Sequence, residues 1–125
     1  MDKFPGTPDT VAAVPAQQSF ARFMGALRHI TRFMTGPLLE NPLDAAVQRI
    51  EANPAFTQYR LLTRLIAALP GEQGEFRVEE ASVFDRDTLA VILSLIHAHD
   101  AGTTPSAEWR QAIDRAESAQ LAFNG

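Results

Sequence analysis

The sequence contains no cysteine, which excludes disulfides, a thiolate nucleophile and any sulfur-ligated metal. It has a single lysine, Lys3; the other ten basic residues are arginine. It lacks a long apolar run. The longest, Leu89 to Ile96, falls far short of the roughly 20 residues that span a bilayer. The opening Met1-Asp2-Lys3-Phe4-Pro5-Gly6 sets an acid and a proline where a signal peptide carries bases and then an apolar stretch. The expected location is therefore the cytoplasm, although a leaderless secretion route would leave no such mark. Also absent are a Gly-x-Ser-x-Gly nucleophile turn and a recognisable Ser-His-Asp order. No glycine-rich phosphate loop is present: Gly71 and Gly74 flank Glu72-Gln73, and an acid there repels phosphate.

What is present describes one ordered helical domain. The 125 residues are 46% hydrophobic and 21% charged, with a net charge of −4, values that fit a folded chain and not a disordered one. A chain of this length buries about two-thirds of its unfolded surface and needs no staple. Alanine is the commonest residue and ten of the eleven basic residues are arginine, a usage associated with GC-rich bacterial genomes, and both residues favour helix.

Proline and glycine divide the chain. Pro5, Gly6, Pro8 and Pro15 mark residues 1–15 as a flexible tail. Phe20, Phe23, Met24, Leu27, Ile30, Phe33 and Met34 recur at three- and four-residue spacing and predict a helix from Ala16 to Thr35, stopped by Gly36-Pro37. Asn41-Pro42 reads as cap and first position of a second helix. Asn53-Pro54 repeats that motif and predicts a third helix to Leu69, with Phe56, Tyr59, Thr63, Ile66 and Leu69 on one face; a single helix kinked at Pro54 is the alternative. Phe76, Val78 and Val83-Phe84 have no strand to pair with, so coil or a helical turn is expected there. A fourth helix spans Arg86 to Ala101, capped by Asp85 or Asp87 and ended by Gly102. It is apolar nearly all round, which suggests the axis of the fold. Thr104-Pro105 opens the last helix, with Trp109, Ala112, Ile113, Ala116 and Phe123 inward. The expected fold is all-α: a compact orthogonal bundle of about five helices over residues 16–125.

Three groups of residues invite a functional reading. His97-Ala98-His99-Asp100 could bind metal, and a small metal-dependent enzyme using His97, His99 and nearby acids is one alternative. However, residues two apart on a helix point about 200° apart, whereas metal pairs sit at three- or four-residue spacing. Both histidines also lie in a last turn, where a cation complements the helix dipole. Second, the stretch 71–88 carries Glu72, Glu75, Glu79, Glu80, Asp85 and Asp87 against Arg77 and Arg86, a net −4, and reads as caps and solvated charges. Third, the first helix carries Arg22, Arg28, His29 and Arg32 with no acid, a net +3. It can face the acidic loop inside the fold or meet an acidic partner. A nucleic-acid-binding regulator is a further alternative, but three arginines on an acidic chain are a thin footprint and no helix-turn-helix is visible. Arg60 and Arg64, one turn apart, read as the wet edge of the third helix.

These features point to a non-enzymatic, protein-binding helical module. Arg22, Arg28 and Arg32 form its partner surface, and neither cofactor nor metal is required. Self-association is open to it if part of the Phe and Met stripe of the first helix stays exposed.

Overall fold

Local caps set both ends of two of the helices. The computed structural model describes residues 15–124, so the expected tail lies outside the described residues except for Pro15, whose carbonyl accepts a bond from Ser19 N–H at 2.9 Å. Within them lie α1 (Ala16–Thr31), α2 (Pro42–Ala52), α3 (Thr57–Ala68), a 3-10 helix (Val78–Val83), α4 (Arg86–Ala101) and α5 (Ser106–Asn124). No strand occurs among the described residues. The fold is an all-α bundle.

α4 has the predicted bounds because both of its ends are encoded locally. The Asp85 side chain accepts from Thr88 N–H at 2.8 Å, and Gly102 adopts the left-handed conformation (φ 66°), its N–H bonding the carbonyls of Ala98 and His99. α2 starts as read, with the Asn41 side chain accepting from Asp44 N–H and Pro42 in the first turn.

Four expectations are corrected. α1 stops at Thr31, four residues early. The Thr31 hydroxyl bonds back to the Leu27 carbonyl at 2.8 Å, an arrangement that competes with helix continuation, and Met34 N–H closes a tight turn on Thr31 at 3.0 Å. Asn53 does not open α3. Its N–H bonds Arg49 O, which makes it the C-cap of α2, and α3 begins at Thr57 without a side-chain cap; Phe56 is left 44% exposed. Pro105 sits before α5 and not in its first turn, its carbonyl accepting from Trp109 N–H at 3.3 Å. Finally, α2 and not α4 lies at the centre. α2 packs against α3, α4 and α5, with Ala46, Val47 and Ile50 fully buried. α4 touches α1 and α2 with an almost wholly apolar inner face of Leu89, Val91, Ile92, Leu95 and Ile96.

Residues 74–84 are moulded onto α1 by side chains far apart in sequence. Ser19 Oγ donates to the Phe76 carbonyl and accepts from Phe76 N–H, both at 2.8 Å. The Phe76 ring stacks on Phe23 at 4.4 Å, and the Arg64 guanidinium covers it at 4.9 Å. The same arginine donates to Glu80 at 3.0 Å and to the Glu75 carbonyl. Arg64 is thus committed to the fold.

Two carboxyls tie this frame to acidity. Bonds from Thr88 hold Asp85 below its ordinary value. Burial pushes Glu80 up, but the Arg77 N–H and the Arg64 guanidinium outweigh it, so Glu80 also titrates low. Groups with depressed folded pKa values stabilise the fold above their unfolded values, near pH 4, and lose that contribution as pH falls through the folded ones. Stability should hold steady from neutral pH down to about 4.5 and decline below it. In Asp85→Asn combined with Glu80→Gln, urea midpoints followed by circular dichroism should decline less steeply.

Candidate protein-interaction surface

The polar side of α1 is a basic stripe. Arg22, Gly25, His29 and Arg32 follow one another at three- and four-residue spacing, and all are exposed. Opposite them Phe20, Phe23, Met24 and Leu27 enter the core. Arg28 lies on the flank and pairs with Asp100 at 3.1 Å, with both side chains about half exposed. This overturns the expectation that the basic helix neutralises the acidic loop. Among the described residues no ion pair joins α1 to residues 71–88. The loop meets α1 through Ser19, Phe20 and Phe23, and its charges serve elsewhere: Glu80 on Arg64, Glu72 on His99, Asp85 as a helix cap.

At the C-terminal end of α1 the stripe meets an exposed apolar corner. The spacing of the sequence places Ile30 and Phe33 on the inner face. With α1 ended at Thr31 they are instead 38% and 80% exposed, and Leu38 and Leu39 of the connector are exposed beside them in sequence. The connector is not loose: Leu39 N–H bonds Ser94 Oγ at 2.9 Å. Arg32 lies 4.7 Å from the Phe33 ring centroid and its guanidinium bonds the His29 ring. The corner therefore brings an aromatic ring and cations together, with exposed aliphatic groups within a few residues of them in sequence. Hydrophobic periodicity cannot reveal it; the only sequence signal is the Gly36-Pro37 stop placed so soon after the stripe. Phe123, also expected inside, is 60% exposed near the end of α5.

The histidine reading resolves into separate environments. His97 is exposed. His99 is mostly buried, meets Glu72 at 3.2 Å and sets its ring edge-on to Trp109, 6.0 Å between centroids. Among the described residues no three His, Asp or Glu side chains converge as a metal site requires. His99, Glu72, Arg28 and Asp100 rim a cleft of about 640 Å³ floored by Phe20, Met24 and Leu69. Glu72 reaches it from a left-handed backbone (φ 55°). The lining contains no hydroxyl nucleophile, and its two acid–base pairs satisfy one another.

No helix among the described residues is long and apolar enough to cross a membrane. Comparison of the chain with protein-family models, with curated proteins and with solved structures found no match to any of them.

Proposed function

We propose that this chain is a non-enzymatic helical interaction module of a bacterial cytoplasm, and that it binds an acidic protein surface through α1. The observation that supports this reading is the exposed corner at the end of α1, where Phe33 stands in solvent beside Arg32. Arginine and aromatic side chains are the groups that most often anchor protein–protein contacts. A large apolar group such as Phe33 held in water beside a cation is a surface that a partner can cover. Arg22 and Arg32 steer an acidic partner, Arg28 exchanges Asp100 for a partner carboxylate, and Phe33 supplies the apolar anchor. Charge of this kind raises association rate and selectivity more than affinity, so binding should weaken with salt.

The test is capture from the native lysate by tagged wild-type chain and by Arg22→Glu/Arg28→Glu/Arg32→Glu. Exposed ion pairs contribute only about 0–1 kcal/mol, so the triple variant should melt near wild type. It should lose the captured protein, and Phe33→Ser should lose most of it. Undiminished capture by the folded triple variant would remove this surface from the account.

A further inference from the structure

The chain carries a second exposed surface with the opposite chemistry. Residues 75–83 present Glu75 and Glu79 in solvent, with Val78 49% and Val83 43% exposed among them. Arg77 is the one base in that segment. The segment that leads into this acidic, apolar-tipped surface is fastened at the start of α1, away from Phe33. Gly74 N–H bonds Ala16 O at 3.2 Å and Ser19 holds Phe76, whereas Ile30 to Leu39 follow the last turn. A helix of 16 residues sets the two ends about 24 Å apart. Within one chain the arginines of α1 and the acids of 71–88 do not pair among the described residues.

We infer that the acidic surface bound by α1 is carried by a second copy of this chain. The corner of Arg22, Arg32 and Phe33 in one copy docks on Glu75, Glu79, Val78 and Val83 of the next. Both surfaces pair cations or carboxylates with exposed apolar groups, so charge and hydrophobicity match together. The contact is heterologous: each copy offers one basic end and one acidic end, so copies join head to tail and either close into a ring or extend. This inference rests on the reading of α1 as a binding surface.

Sedimentation velocity on the whole chain tests it. Wild type should exceed the 13.7 kDa chain mass increasingly with concentration at low salt and return to it at high salt. Arg22→Glu/Arg32→Glu and Glu75→Arg/Glu79→Arg, each confirmed folded by circular dichroism, should each stay at the mass of one chain. Mixed in equal amounts they offer two matched pairs, the acidic end of the first with the basic end of the second and, by the charge swap, the two reversed ends with each other, and should form species of at least twice the chain mass. Wild type that stays at one chain mass up to millimolar concentration overturns the inference, as does a mixture that stays monomeric or a variant that still self-associates. If the inference falls in this way while the arginine variants still lose capture from lysate, the proposed function stands and the partner is another acidic protein.

Discussion

Phe23→Ala should cost about 3–5 kcal/mol, the usual range for emptying a buried aromatic site. Measured by urea denaturation, this is a large part of the roughly 5–15 kcal/mol that holds a domain of this size together. Phe23 is fully buried and its ring lies nearly parallel to Phe76, 4.4 Å away and 13° between planes. Phe76 is in turn covered by Arg64, so one ring joins α1, the 74–84 segment and α3. Removing it leaves Phe76 without its stacking partner and opens a void that the Ser19 clasp prevents the loop from filling. Ser19→Ala should behave as part of the same unit. It would leave the Phe76 N–H and carbonyl without their bonds, and its cost combined with Phe23→Ala should fall short of the sum, because both residues act on Phe76.

The second large effect concerns α2. Ala46→Leu should destabilise by about 1–3 kcal/mol, since extra carbon atoms in a filled core force neighbours off their preferred positions. Ala46 is fully buried in the helix on which α3, α4 and α5 converge. A small side chain there lets the helices approach, which is why the shortest α-helix of the bundle can be its hub. Ala90→Leu, on the exposed side of α4, is the control and should stay within about 0.5 kcal/mol of wild type. Similar losses at the two positions would contradict the tight packing assigned to Ala46.

The contrast between these helices shows what the sequence carries. α4 was legible end to end because Asp85 and Gly102 act within a few residues of where they stand. Its apolar character was legible too, but burial is not centrality: α4 is apolar because α1 and α2 cover it, whereas the position of α2 depends on packing that Ala46 and Val47 do not announce. Asn53 was ambiguous because asparagine suits either end of a helix, and the bond to Arg49 O decides between them only in three dimensions. The 3-10 segment depends on Ser19, 57 residues before Phe76, a separation across which no spacing rule reaches.

The same division holds at the candidate surface. Exposure of Arg22 and Arg32 follows from the helical stripe alone. The Arg28–Asp100 pair links residues 72 apart and is invisible before folding. Phe33 was misplaced for a definite reason: periodicity counts turns but cannot tell where the covering layer of helices ends. The early end of α1 at Thr31 leaves Phe33 in the exposed corner on which the functional reading rests.

The direct test of that reading is arginine footprinting by phenylglyoxal labelling and mass spectrometry, comparing the chain alone with the chain in its captured complex. Arg22 and Arg32 should be strongly protected in the complex while Arg60 and Arg86, exposed on other elements, label as before. Protection of Arg60 or Arg86 with Arg22 and Arg32 still fully reactive would contradict the account, because it would place the partner on another face of the molecule.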